Sequence, residues 1–216
     1  MKMKKKNKRL VILGAGGHGR VVADIARCQK TYKTIVFLDD ALVGVTVGEV
    51  AVIGRTEDAS NLAEGSDFFV AVGDNAVRER LLCALLQKEL PLATLIHPSA
   101  VVARDALVAP GCAVMAGAVL GVGATLSQGC IVNTCASVDH DCRLEAFCHV
   151  AVGAHLAGAV SLGQRVLIGA GATVRDGVSI ASDCVLGAGA VAVRSLTERG
   201  VYVGVPARKR EAGEKA

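Results

Sequence analysis

Residues Val114 to Leu126 read V-M-A-G-A-V-L-G-V-G-A-T-L, and the pattern in that run repeats every six residues from Val102 to Ala192. Val102, Val108, Val114, Leu120, Leu126, Val132, Val138, Leu144, Val150, Leu156, Leu162, Ile168, Val174, Ile180, Leu186 and Ala192 share one register, and all but the last are Val, Leu or Ile. Four residues after each comes a lane that holds only Ala, Cys or Val, from Ala106 through Cys130 and Cys148 to Ala190. Three residues after the first lane Gly recurs, at Gly111, Gly117, Gly123, Gly129, Gly153, Gly171, Gly177 and Gly189.

Two apolar lanes and a turn lane at this period predict a hexapeptide-repeat parallel β-helix. One hexad makes a short strand and a corner, and three hexads close a triangular coil of 18 residues. The large aliphatics point inward and stack on their equivalents one coil away, about 4.8 Å distant. No coil buries its apolar face alone, so each depends on its neighbours.

The composition agrees. The 216 residues are 52% hydrophobic but only 3% aromatic, as a narrow interior requires. Five of eight cysteines (Cys112, Cys130, Cys142, Cys148, Cys184) fall in the small-residue lane, where Cys acts as a slightly larger Ala. No CxxC pair exists, so reduced structural thiols are expected, not zinc ligands or disulfides. Six of the 24 basic residues crowd the first nine positions; the remaining 18 face 20 acidic ones, which argues for a solvated terminus and against nucleic-acid binding. No apolar run approaches the ~20 residues of a membrane span, and the segment after the basic head is too short for a signal-peptide core. A cytoplasmic protein is expected.

Ahead of the repeat, Arg9–Leu13 reads as a strand running into Gly14-Ala15-Gly16-Gly17-His18-Gly19, then a helix with Val21, Val22, Ile25 and Ala26 on one face, then a strand Thr34–Leu38 ending in Asp39-Asp40. This order of strand, glycine loop, helix, strand and acid fits a dinucleotide fingerprint, in which backbone N–H groups approach a phosphate. Strands near Val50–Ile53 and Asp67–Ala71 and a helix Ala76–Lys88, capped by Asp74 or Asn75, complete one mononucleotide-binding half. The expected domains are a Rossmann-like α/β unit over 1–91 and a β-helix with a charged C-terminal tail over 92–216.

Polar residues are rare inside the repeat, which singles out Asn133-Thr134 and Asp139-His140-Asp141. His140 lies in neither inward lane and should be accessible. The residue one coil above it is Gly158, whose missing side chain is expected to leave room for a reacting group beside the imidazole. An imidazole flanked by two acids can accept a proton near neutral pH. His149 is expected to contact a ligand, His18 to contact substrate, and His97, before Pro98, to be structural.

These segments, with Val72-Gly73-Asp74-Asn75, Ile96-His97-Pro98-Ser99-Ala100 and Gly204-Val205-Pro206-Ala207, resemble bacterial hexapeptide-repeat sugar acetyltransferases. That family includes sialic acid O-acetyltransferases and N-acetyltransferases of nucleotide-linked 4-amino-4,6-dideoxy sugars of the bacillosamine and perosamine type. The resemblance implies a left-handed β-helix, a homotrimer with active sites between subunits, and acetyl-CoA as co-substrate without a metal. It makes His140 the general base with Asp141 as its acidic support and sets Asn133 beside the acceptor. His149 and Gly158 then line the thioester, Ala170 and Ala188 the coenzyme A wall, and Gly16, Gly17, His18, Asp39, Asp40 and Gly73 the nucleotide-sugar pocket. Ala151 and Val152 stand where a small polar residue and Pro are expected. The reaction implied is acetyl transfer to the sugar 4-amine; the alternative is sialic acid O-acetylation. A γ-carbonic-anhydrase type site needs three converging histidines, and the spacings among His140, His149 and His155 do not match it. A non-catalytic scaffold is the remaining class.

Overall fold

The computed structural model describes residues 8–210. The basic head through Asn7, expected to be a solvated terminus, and the end of the charged tail from Glu211 lie outside the described residues. Two compact units divide the chain, 1–98 and 99–216.

In the first unit, β1 (Arg9–Leu13), α1 (Gly17–Gln29), β2 (Thr34–Leu38), β3 (Thr46–Val47), β4 (Val50–Gly54), a 3-10 segment (Thr56–Leu62), β5 (Ser66–Val70) and α2 (Asn75–Gln87) follow in order. The sheet runs β3-β4-β2-β1-β5 and is parallel except for β3 against β4. Leu10 to Leu13 of β1 and Phe68 to Val70 of β5 are at most 1% exposed, as parallel strands covered on both faces must be. The chain leaves β1 for β2 on one side and returns to β5 on the other. The loops after β1 and β5 therefore flank the position where such sheets bind ligands. The unit outlasts the expected boundary at residue 91. The Pro91 carbonyl accepts from Phe68 N–H, and Ala93 N–H donates to Phe68 carbonyl, so the connecting segment extends the sheet edge.

The second unit is a left-handed parallel β-helix. Sixteen two-residue strands, from Val101–Val102 to Val191–Ala192, stack in an 18-residue register: Leu120 lies opposite Val102 on one side and Val138 on the other. From Val114 onward both inward lanes are buried to 2% exposure or less. The first members, Val102 and Val108, are only partly covered. At the start of the charged tail, Arg208–Lys209 pairs antiparallel with Val201–Val203.

The turn lane explains itself through the backbone. Its glycines adopt positive φ, from 62° to 79°, and so do the six residues that replace Gly there: Cys135, Asp141, Phe147, Ala159, Arg165 and Asp183, at 55° to 63°. Each non-glycine pays about 1–2 kcal/mol for that conformation. Arg165 and Asp183 offset it by a two-pronged ion pair, at 2.6 and 3.0 Å.

The lane cysteines also contribute more than volume. Each thiol donates to a carbonyl of the next coil, as Cys130 Sγ does to Glu145 at 3.2 Å. Burial pushes the Cys130 thiol up, which keeps it a protonated donor. Cys130→Ala is expected to destabilise the fold by roughly 1 kcal/mol from a small cavity and a weak lost bond. Thermal melting should show a fall in Tm of about 2–4 °C with turnover retained; loss of turnover in folded protein would give the thiol a role beyond packing.

Candidate active site

His140 sits at the corner after the strand Ser137–Val138, and three glycines hold the backbone around it. A Cβ at Gly121 would meet the Asp139 carbonyl carbon and His140 N, each at 2.7 Å, and one at Gly123 would meet Asp141 Oδ1 at 2.8 Å. A Cβ at Gly158 would overlap the imidazole, with Nε2 its nearest atom. The space above His140 is thus filled by its own ring lying across the Gly158 backbone, not kept free for a reacting group as the spacing alone suggested.

The dyad geometry is direct. Asp141, in the left-handed region at φ 58°, turns its carboxylate back so that Oδ2 lies 2.9 Å from His140 Nδ1. Asp139 Oδ1 accepts from the His140 backbone N–H at 2.7 Å. With Nδ1–H donated to Asp141, Nε2 is the nitrogen left to accept a proton. The Asp141 hydrogen bond raises the imidazole above its ordinary value, with the charges of Asp139 and Asp141 adding to it. Both dyad side chains are more than half exposed. Asp141 also lines a cavity of about 310 Å³, together with Thr125, Ser127, Arg143 and Glu145 among others.

A second group lies at a different corner. Asn133 Nδ2 is 3.2 Å from His149 Nε2, and Asn133 Oδ1 accepts from Thr134 N–H at 2.8 Å. Val152, Ala170 and Ala188 follow up this corner at 18-residue steps, and Ala170 carbonyl accepts from Gly189 N–H. So His140, Asp141 and Gly158 come together, and Asn133 and His149 come together. The two groups occupy different corners of the repeat. His155 bonds Ser137 Oγ through Nδ1 at 2.9 Å, so each of the three repeat histidines has its own partner and they do not converge.

In the first unit the glycines divide by function. A Cβ at Gly14 would meet the Ala71 carbonyl at 2.9 Å, and one at Gly19 would overlap the Gly14 carbonyl; these two permit the tight turn and the close approach of helix to strand. Gly16, Gly17 and Gly73 face open space, leaving backbone accessible to a ligand. Asp39 and Asp40 each accept hydrogen bonds from their own chain. Asp39 accepts from Ala15 N–H at 2.9 Å and Ala41 N–H at 3.0 Å, clamping the glycine loop. Asp40 accepts from Thr56 N–H and Oγ–H, both at 2.9 Å, and these bonds hold its carboxyl below the usual range.

Asp40→Ala should therefore act first on stability. Losing a cap of this kind costs about 1 kcal/mol, a Tm fall of about 2–4 °C, with the acetyl-CoA KM unchanged. Because the carboxyl is depressed when folded, its contribution is complete above its unfolded value near 3.9 and fades as pH falls below that. An unchanged Tm with a sugar KM raised tenfold or more would restore Asp40 as a direct ligand contact.

His18 Nε2 is buried with no hydrogen-bond partner in the described structure. Burial, then the Arg78 charge, lowers its pKa to about 4. The ring is neutral at physiological pH and offers hydrogen bonds, not charge, to a ligand. Arg78, on the helix read over Ala76–Lys88, was not among the expected site residues. It is fully buried and donates to the Val72 and Gly73 carbonyls at 3.1 Å and to Asn75 Oδ1 at 2.7 Å, fixing the loop after β5. Gly121 was missed too; its signal is the 18-residue step to Asp139.

Residues 9–85 match the family described as the PglD N-terminal domain, and residues 159–192 the bacterial transferase hexapeptide family with six repeats. The acetyltransferase domain of PglB from Neisseria gonorrhoeae FA1090 superposes with a TM-score of 0.92 at 42% identity, over 94% of this chain and 100% of that one. The chain belongs to the PglD-type hexapeptide acetyltransferase family. A second member, PerB from Caulobacter crescentus in complex with CoA and GDP-perosamine, is 39% identical with a TM-score of 0.87, covering 94% of this chain and 97% of its own. UDP-N-acetylbacillosamine N-acetyltransferase of Bacillus subtilis (strain 168) is 33% identical over 104 residues, 47% of this chain. The match spans about half of that relative's length, 48%. Among the described residues of this family member, no helix is long and apolar enough to cross a membrane.

Proposed function

We propose that this chain is an acetyl-CoA-dependent N-acetyltransferase acting on the 4-amino group of a nucleotide-linked 4-amino-4,6-dideoxy sugar. The observation that carries this reading is the His140–Asp141 dyad, exposed at a corner with Nε2 over the Gly158 backbone. The amine nitrogen attacks the thioester carbonyl, and the new C–N bond forms as its proton passes to His140 Nε2. Collapse of the tetrahedral intermediate breaks the C–S bond, and the imidazolium returns the proton to the departing CoA thiolate. The Gly158 N–H has no acceptor among the described residues and is a candidate donor to the developing oxyanion. The step uses no metal and no acyl-enzyme. Neutral His18 and the open faces of Gly16, Gly17 and Gly73 receive the nucleotide sugar. Asp39, Asp40 and Arg78 hold the loops of that pocket in place.

The separation of the His140 group from the Asn133–His149 group, with Ala170 and Ala188 above the latter, supports a homotrimer in which one subunit's base faces a neighbour's acetyl-CoA wall. Exposed valines on the repeat, Val101 and Val119 on one wall and Val122 and Val152 at corners, supply apolar surface for such contacts. We assign the enzyme to the cytoplasm. Relatives solved with acetyl coenzyme A or with CoA and GDP-perosamine favour an amine on a nucleotide sugar over sialic acid O-acetylation.

A panel of UDP-, GDP- and dTDP-linked 4-amino sugars plus free sialic acid, read by thiol release from acetyl-CoA, tests the assignment. Turnover with at least one nucleotide amino sugar and none with sialic acid is expected, from particles near three times 22.1 kDa by light scattering. Turnover confined to sialic acid would overturn it, and an active monomer would remove the shared-site arrangement.

A further inference from the structure

A cluster outside both pockets has the chemistry of a metal site. One carboxylate oxygen of Asp24, Cys28 Sγ and one ring nitrogen of His97 all lie within 4.8 Å of one another. We propose that these three residues bind a zinc ion, with water in the fourth position.

Three features carry the proposal. The first is the donor set: Zn²⁺ accepts thiolate, imidazole and carboxylate together in tetrahedral geometry, whereas hard cations select all-oxygen sites. Metal–ligand lengths of ~2.0–2.3 Å put tetrahedral donors about 3.3–3.8 Å apart, so from separations within 4.8 Å no pair needs to close by more than about 1.5 Å, within reach of side-chain rotation. The second is the scaffold. Asp24 and Cys28 stand four apart on α1 and share a face, while Val22, Ile25 and Ala26 of the same helix are buried and fix its rotation. The third is the registration of the last ligand. His97 follows Ile96, whose carbonyl accepts from Gln29 Nε2 at 2.9 Å, tying that segment to α1 one residue beyond Cys28. Pro98 restricts the backbone on the other side of His97. The ion staples α1, which begins at the glycine loop, to the segment ending the first unit. It takes no part in acetyl transfer. Binding releases the Cys28 proton to solvent, so occupancy rises with pH.

The test uses the full chain, stripped with a chelator and titrated with Co²⁺ as the spectroscopic probe for zinc. A near-ultraviolet thiolate-to-cobalt band should saturate at one ion per chain and disappear on addition of Zn²⁺. Cys28→Ala should abolish the band, Asp24→Asn and His97→Ala should weaken binding about tenfold or more, and Cys135→Ala, which removes another exposed thiol, should leave it intact. Circular dichroism checks that each variant is folded. Zn²⁺ should also raise the Tm of the wild-type chain but not of Cys28→Ala. Absence of the band, its survival in Cys28→Ala, or an equal Tm rise in both proteins overturns the site.

Discussion

His140→Ala is expected to lower kcat by about 10²–10⁴-fold, the range a general base contributes. The fold should survive, because the side chain is more than half exposed and touches neither inward lane. The KM for acetyl-CoA should change little, since the residues assigned to the coenzyme A wall, Ala170 and Ala188, and His149 at the thioester belong to another corner, and the Gly158 backbone is untouched. Asp141→Asn should give a smaller loss by the same route: the amide still bonds Nδ1, but the carboxylate charge that raises the imidazole's basicity is gone. Steady-state kinetics on both variants with the preferred sugar check the ranking. An Asp141→Asn loss larger than that of His140→Ala would move the base to the carboxylate.

Gly158→Ala should be nearly as damaging, although it adds a single methyl group. Its φ is not among the positive values of the turn lane, so alanine fits the backbone there. The methyl then occupies the volume of the His140 ring, with the ring carbon Cδ2 3.1 Å away and Nε2 closer still. Either the ring swings aside or the coil deforms, and the ring is the softer element. A base displaced by about 1 Å costs on the order of 10²-fold in rate. The backbone N–H is retained in alanine, so the loss reports on the placement of His140 and not on an oxyanion donor. Melting temperature should stay within a few degrees of wild type while kcat falls. Wild-type turnover in Gly158→Ala would mean that the ring does not work from this position.

The repeat was readable because its lanes recur without interruption, and period alone fixes which side chains face inward and which residues stack. Stacking found Gly158 over His140 but not the reason for the glycine, since register does not say where a ring points. The turn lane told its conformation through Gly; that Asp141 adopts the same positive φ, and so bends its carboxylate onto His140, follows only from lining it up with Gly123 and Gly177. In the first unit the fingerprint located the loop and helix. It did not reveal that Asp39 and Asp40 also accept hydrogen bonds from backbone donors of their own chain. Arg78 was invisible because a helical pattern treats arginine as surface, and here the carbonyls of the Val72–Gly73 loop draw it inside. Asp24, Cys28 and His97 share no motif spacing, and only the return of the chain past α1 brings them together.

The most direct test of His140 as the base is the pH dependence of kcat in wild type and His140→Ala, measured with the same nucleotide amino sugar at saturating acetyl-CoA. The Asp141 bond raises the imidazole, so its proton-accepting form is lost as pH falls through a value above the ordinary 6.5. Wild-type kcat should fall on the acid side with a midpoint above that figure. In His140→Ala the plateau should drop by about 10²–10⁴-fold and this limb should vanish or move to the midpoint of the substrate ammonium. An acid limb of unchanged midpoint in the variant, on a plateau close to wild type, would contradict the mechanism.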